Sequence, residues 1–354
     1  MKTEKREEIQ QALLQKINNN ELNSTLKISQ EFGISRQTLY KYLTVLEAEG
    51  KIVATKQNNR KKYSLKEEEK LLRLKLAELE EDLVWSQEIS PFLKGIKANV
   101  LFACQYGFTE ILNNAIDHSE SKDVLIMLSQ NPVDIKIWII DYGVGIFNKI
   151  QKAFSLNSPR DSIWELAKGK LTTDPDRHSG EEIFFTSRIF DDFVIFSEKL
   201  AFKSGRETDM DILQEIQETN ILVDHMKESK MGTIVFMKIA KTSDIVTADV
   251  FDKYTAAEDD YGFTKTHIIV RLLDQEGILL VSRSQAKRLI ARFEKFKEVI
   301  LDFEGVKEVG QAFADEIFRV FAKQHPNVEL IPVNLTEQVK KMVYRAQAYN
   351  KSLE

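Results

Sequence analysis

Glu110-Ile-Leu-Asn113-Asn114-Ala-Ile-Asp117-His118-Ser119 sets a carboxylate and a carboxamide four residues apart. The spacing predicts a helix with Ile111, Leu112, Ala115 and Ile116 toward a core and Glu110, Asn113, Asn114 and Asp117 on the other side. At i and i+4, Glu110 and Asn114 share a face. A carboxylate beside a carboxamide oxygen suits a hydrated Mg²⁺ travelling with a polyphosphate, because Mg²⁺ takes oxygen ligands and keeps its waters. A second segment, Asp141-Tyr-Gly143-Val-Gly145-Ile146, follows the strand-like run at residues 135–140. An Asp followed by two glycines lets backbone approach a flat ligand without interference from Cβ. The bland alternative for the pair is an ordinary helix and a plain turn.

Together the two segments resemble the N-box and first glycine box of the GHKL ATPase superfamily. That group includes gyrase, heat-shock chaperone, histidine kinase and mismatch-repair ATPases and the anti-sigma serine kinases. The resemblance implies a Bergerat α/β sandwich over residues 96–245, with ATP and Mg²⁺ as cofactors. It implies that Glu110 is the catalytic base that aligns an attacking water and that Asn114 is the metal ligand. Asp141 would receive the adenine amino group, Gly143 and Gly145 would shape the base pocket, and Asp117 and Ile146 would complete it. In the kinases of this superfamily the matching Glu assists phosphoryl transfer, so Glu110 does not choose between hydrolysis and transfer. Met231-Gly232-Thr233 resembles the later Gly-Thr strand, which implies that Thr233 hydrogen-bonds near adenine.

Residues 157–181 read as a mobile lid closing over phosphates. Lys170, Arg177 and His178 are candidate phosphate contacts, with a merely solvated loop as the equal alternative. Gly180 stands in the position of the second glycine box, which is richer in glycine elsewhere in the superfamily. Alternation at residues 193–196 and 234–239 predicts strands of a mixed sheet.

Upstream, residues 6–20 predict a helix with Ile9, Leu13, Leu14 and Ile17 at core spacing. Ser24 or Thr25 caps a second helix carrying Leu26, Ile28 and Phe32, Gly33 supplies a tight turn, and Ser35 caps a third helix. Leu39, Leu43 and Leu46 form the buried stripe of that helix, leaving Arg36, Gln37, Thr38, Tyr40 and Lys41 outside. This is helix-turn-helix spacing, with polar residues where base edges would be met. Residues 51–65 read as two strands around Gln57-Asn-Asn59, a wing with five basic residues, Arg60, Lys61 and Lys62 among them, and no acidic one. Such a wing meets phosphates, giving affinity and salt dependence. Residues 1–65 resemble bacterial winged-helix regulators, which implies double-stranded DNA as a partner. A small helical domain that binds protein is the alternative.

Residues 66–95 are expected to be a linker helix, with Leu72, Leu76, Leu79 and Leu83 spaced like heptads. It would lie on the neighbouring domain or join two copies in a homodimer. Residues 262–350 alternate strand and helix, which implies helices covering a sheet. The segment at residues 299–313 resembles the central segment of STAS anti-sigma antagonists, implying a STAS-like α/β domain and a protein partner. Gly310, Gln311 and Ala312 stand where those antagonists carry a phosphorylatable Ser, so the site is expected to dock rather than to accept phosphate.

The 354 residues favour two or three domains, and at 43% hydrophobic and 30% charged the chain is expected to be globular. No apolar run is long enough to span a bilayer, the first residues lack the apolar core of a signal peptide, and the single cysteine, Cys104, lies among apolar residues. A reducing cytoplasm is the expected location. Residues 1–65 hold 12 Lys/Arg against 7 Asp/Glu, whereas the remainder is net acidic, so the head alone is expected to meet a polyanion. No histidine precedes His118, so an upstream phosphoacceptor and histidine autophosphorylation are not expected. The resulting expectation is a multidomain α/β transcriptional regulator in which ATP binding, with or without slow hydrolysis, switches the head through the STAS-like domain. The alternative is a serine/threonine protein kinase or an ATPase.

Overall fold

The structure, a computed structural model, describes residues 2–22, 25–57, 60–93, 95–171, 180–206, 211–213, 232–255, 262–273 and 280–351. Three helices open the chain: α1 (Lys2–Asn18), α2 (Thr25–Glu31) and α3 (Arg36–Ala48). Ile9, Leu13, Leu14 and Ile17 of α1 meet Leu39, Leu43 and Leu46 of α3 in one small core, as their spacing requires. Leu26, expected to face inward on α2, is exposed, and Ile28 takes the inward place. Strands β1 (Ile52–Gln57) and β2 (Arg60–Leu65) then pair antiparallel as the wing.

Residues 66–95 are not a linker helix. β3 (Glu68–Lys75) is an edge strand of the central sheet, paired antiparallel with β4 (Asp123–Gln130). Lys70, Leu72 and Leu74 turn inward while Leu71, Arg73 and Lys75 stay exposed, a two-residue period that competes with the heptad spacing. Backbone pairing with β4 decides the contest. Of the expected helix only α4 (Glu81–Val84) and a wide helical turn at Trp85–Ile89 remain. The central unit therefore begins before residue 96.

The long helix α5 (Ala98–His118) leads into β4 and β5 (Asp134–Asp141). Helices α6 (Ile146–Ala153), α7 (Pro159–Lys168) and α8 (Glu182–Ile189) follow, then β6 (Asp192–Ser197), β7 (Leu200–Ser204), β8 (Asp211–Leu213) and β9 (Ile234–Ala240). The strand order is β3-β4-β5-β9-β6-β7-β8. Every pairing is antiparallel, so the sheet is not mixed as expected; β4–β5 and β6–β7 are hairpins, which admit no other sense. Ile135, Ile137 and Ile139 of β5 are buried in the core shared with α5, and Lys136 and Trp138 on the opposite face are half-buried. The result is a two-layer α/β arrangement. Cys104 packs inside it, and burial pushes its thiol up to about 12, as expected of a core residue rather than a nucleophile.

After α9 (Thr247–Asp252), strand β10 (Lys265–Ile269), helix α10 (Arg283–Ile290) and strand β11 (Glu298–Asp302) alternate. Helix α11 starts at Gln311–Asp315 and runs through a π-type turn at Glu316–Phe321. β12 (Glu329–Val333) and α12 (Glu337–Lys351) close the unit, and β10, β11 and β12 form a parallel sheet in that order. The alternation predicted for this third of the chain is present. One apolar core runs through the central and C-terminal units together, whereas the head keeps its own, to which the central unit adds Val133. Among the described residues no helix is long and apolar enough to cross a membrane.

Candidate functional site

The cleft is built where β5 ends beside the start of β9. The Asp141 N–H donates to the Thr233 carbonyl at 2.9 Å, and the Gly232 N–H donates to the Asp141 carbonyl at 3.0 Å. Oδ1 of Asp141 accepts from the Gly143 N–H at 2.9 Å and the Thr233 N–H at 3.2 Å. Burial pushes the Asp141 carboxyl above its usual range, and these donors oppose the shift. Thr233 Oγ1 accepts from the Ile146 N–H at 3.1 Å, at the first residue of α6. A Cβ on Gly232 would lie 2.1 Å from Asp141 Oδ1, and one on Gly145, whose φ is 78°, would lie 2.6 Å from Ser197 Oγ. Both positions need glycine for the strands and turn to close.

Asp141 and Thr233 line a cavity of about 90 Å³. Ile111, Asn114, Ala115 and His118 form its wall on α5, at helical spacing. Gly145, Ile146, Lys149 and Ile150 line it from the glycine turn and α6, and Leu166, Leu171, Glu182 and Ile183 from the α7–α8 segment. Asn114, which lines the cleft, donates through Nδ2 to the Glu110 carbonyl at 2.8 Å, so Oδ1 is the end of its amide that can accept or ligate. Among the described residues no group of three or more His, Cys, Asp and Glu is placed to hold a metal ion. Asn114 would supply a divalent ion with one oxygen, and water or ligand oxygens would complete the shell. Apolar walls with a carboxylate acceptor suit a flat, amino-bearing ring.

The structure brings together Asn114, Asp141, Gly145, Ile146 and Thr233 from widely separated stretches of sequence. Gly143 supports the site from beside it, orienting Asp141 through its N–H. The other expected residues that are described do not line this cavity. Asp117 is exposed and does not line the cleft. Glu110 shares the α5 face of Asn114, but one turn, about 5.4 Å, carries it past the cleft. It lines an adjoining depression with Tyr106, Glu181 and Glu182, where burial and these carboxylates push the Tyr106 phenol up. Lys170 turns away: Nζ donates to the Lys295 carbonyl at 3.0 Å and lies over the Phe296 ring at 5.0 Å. Gly180 offers its carbonyl to the Leu171 N–H at 3.1 Å, joining the two ends of segment 172–179. Arg177 and His178 lie outside the described residues.

Residues 159–168, expected within a lid loop, form α7. Ser158 Oγ accepts from the Asp161 N–H at 3.3 Å, Asp161 Oδ2 accepts from the Ser158 N–H at 3.1 Å, and Pro159 takes the first helical position. The far end of α7 is fastened to the C-terminal unit. Lys168 Nζ, fully buried, donates to Glu165 Oε1 at 2.7 Å and to the carbonyls of Arg288 and Ala291 at 3.1 and 3.0 Å. Arg292 Nε donates to Glu165 Oε2 at 2.7 Å. Burial lowers the Lys168 amine to about 8 despite Glu165.

In the head, Arg36, Gln37, Tyr40 and Lys41 are exposed on α3, and Lys61 and Lys62 are exposed on the wing. Arg60 is described through its backbone alone. Ser35 and Thr38 are partly spent on capping, with Ser35 Oγ accepting from the Thr38 N–H at 3.1 Å and lying 2.9 Å from Thr38 Oγ1. The head meets the central unit at the β4–β5 turn, where Asn18 Nδ2 donates to Asp134 Oδ2 at 2.8 Å.

Comparison with known families places a helix-turn-helix domain at residues 9–58 and a STAS-like domain of unknown function (DUF4325) at residues 285–340. No curated protein and no solved structure matched the chain. The chain thus has an N-terminal helix-turn-helix domain, a central α/β region and a C-terminal STAS-like domain, and the first of these points to DNA binding.

Lys149 and Glu182 were missed by sequence reasoning. Lys149 carried a signal: Ile146, Lys149 and Ile150 stand at i, i+3 and i+4 directly after the glycine turn. Glu182 had none, because its place depends on how α8 packs on α5.

Proposed function

We propose that this protein is a DNA-binding transcriptional regulator whose central cleft binds ATP with Mg²⁺ and so alters how the head meets DNA. The observation that carries the reading is the convergence of Asn114, Asp141, Gly145 and Thr233 on one apolar-walled cavity. These are the residues that the likeness to GHKL ATPases singles out, and a Bergerat-type sandwich is the fold that goes with them. The Asp141 carboxylate would accept from the adenine amino group, with the Ile139 and Val235 side chains against the ring. Asn114 Oδ1 would hold a hydrated Mg²⁺ that supplies charge neutralisation for the phosphates.

Nucleotide would act through α7, which presents Leu166 to the cleft and is bonded to the C-terminal unit through Glu165 and Lys168. The STAS-like domain would dock a protein partner at the start of α11, where Gly310 precedes Gln311 and no hydroxyl is available for phosphate. A nucleotide shifts such an equilibrium only by its differential affinity for the two arrangements. Glu110 lines the depression that adjoins the cleft at Glu182, so its place does not choose between a sensor, an ATPase and a serine/threonine kinase. DNA affinity of the full chain, measured with and without saturating ATP·Mg²⁺, tests the switch; equal affinities remove it. Incubation with labelled ATP separates the classes, since a kinase labels protein and an ATPase releases phosphate.

A further inference from the structure

Lys149 lines the cleft on α6, one helical turn after Gly145. Its ammonium donates to the His118 carbonyl at 2.7 Å and to Glu120 Oε1 at 3.4 Å. A lysine carries three N–H donors, so one remains after these two contacts. The two acceptors also fix where the ammonium stands: the His118 carbonyl belongs to the last residue of α5, where unpaired carbonyls favour a cation.

Among the described lining residues, Asp141 and Glu182 are the carboxylates and Lys149 is the lysine; no arginine lines the cleft. A polyanion entering beside two carboxylates gains from a protein cation in addition to its Mg²⁺. Lys170, the other described candidate, is turned onto Lys295 and Phe296. Resting on the nucleotide reading above, we propose that Lys149 is a cationic contact for the phosphate groups of the bound nucleotide and contributes to its preference for nucleotide over nucleoside. An ammonium with one unspent donor makes a charge-assisted hydrogen bond to a phosphate oxygen, whereas an uncharged ribose or adenine gains little from it.

The test is calorimetric titration of the full chain with ATP·Mg²⁺ and, separately, with adenosine, comparing wild type, Lys149→Met and Lys149→Arg. Lys149→Met is expected to lose roughly 10- to 100-fold in ATP affinity, the size of a lost charged hydrogen bond, while adenosine affinity moves less than about threefold. Lys149→Arg is expected to restore most of the ATP affinity. Adenosine binding by Lys149→Met reports that the cleft is intact; should that variant not fold, Lys149→Gln is titrated instead. Equal losses for ATP and adenosine would mean that Lys149 merely ties α6 to α5, and no loss for either would mean that it touches no ligand; both overturn the proposal. A wild-type protein that binds adenosine but not ATP also overturns it and leaves the base pocket standing. A wild type that binds neither overturns the nucleotide reading as well.

Discussion

Asp134 and Asp141 are the two ends of one strand, β5. Asp134 accepts from Asn18 of the head, while Asp141 orders the floor of the cleft through Gly143 and Thr233. At about 3.3 Å per residue the ends stand roughly 23 Å apart. β5 is paired on both sides, by β4 and β9, so it bends little on its own. Val133, beside Asp134, is packed into the head's core. A change at the floor of the cleft therefore has a stiff route to the head.

Removing the Asn18 contact should loosen that route. Asn18→Ala is expected to reduce the effect of ATP·Mg²⁺ on DNA affinity while changing nucleotide-free DNA affinity less than about threefold, since Asn18 belongs to α1 and its side chain bonds Asp134 of the central unit. Fluorescence anisotropy with labelled duplex, with and without nucleotide, measures both. An unchanged nucleotide effect would place the coupling elsewhere.

The raised carboxyl of Asp141 fixes the sign of a pH dependence. Its acceptor form is present above the folded pKa and is lost as pH falls through it. ATP affinity is expected to weaken on acidification at a pH above the ordinary aspartate value, and Asp141→Asn should lack that step. For stability the sign is opposite to that of a paired carboxylate. The folded state holds the extra proton between the ordinary and the raised value, so this group's contribution to stability declines as pH rises through that window. Titrations of ligand affinity and of denaturant midpoint against pH check the two statements separately.

Glu165 binds both Lys168 and Arg292 inside the junction of α7 with the C-terminal unit. Arg292→Ala leaves Glu165 paired with Lys168 alone and strips donors from the Glu165, Gly169 and Lys170 carbonyls. Because Glu165 keeps Lys168, the cost is that of buried acceptors losing a charged donor, about 1–3 kcal/mol. Urea unfolding of the full chain should show a loss of that order, and a change under about 1 kcal/mol would mean the junction tolerates the gap.

On the wing, Lys61 and Lys62 are exposed and point to phosphate contact without base readout. Replacing either by Ala should weaken DNA binding across sequences alike and lower the salt slope by about 0.9. Replacing Gln37 or Arg36 on α3 should instead blunt the preference among sequences. Affinities for two unrelated duplexes at several salt concentrations distinguish the outcomes.

Much of the site was legible because its residues lie next to local signals. Asn114 sits on a helix with a clear apolar stripe, and Asp141 with Gly145 closes a strand of alternating isoleucines. The helix-turn-helix was equally plain from Leu39, Leu43 and Leu46 behind a Ser35 cap. Leu72 and Leu76 fit a heptad, so residues 68–75 look helical in the sequence, and only pairing with β4, from Lys75 with Asp123 to Glu68 with Gln130, makes them a strand. The α7 cap was written in Ser158-Pro159-Arg160-Asp161, yet the surrounding Gly and Pro residues suggested a loop. Lys170 looked like a phosphate contact because its orientation depends on Lys295 and Phe296, which no local pattern reports.

The most direct measurement is titration of the purified full chain with ATP·Mg²⁺, in parallel with Asp141→Ala and Asn114→Ala. Saturable binding of one nucleotide per chain is expected, weakened at least about tenfold by Asp141→Ala through loss of a charged hydrogen bond to the base. Asn114→Ala is expected to lose the dependence of ATP affinity on Mg²⁺. Absence of binding at every Mg²⁺ concentration, or undiminished binding by both variants, would contradict the nucleotide reading.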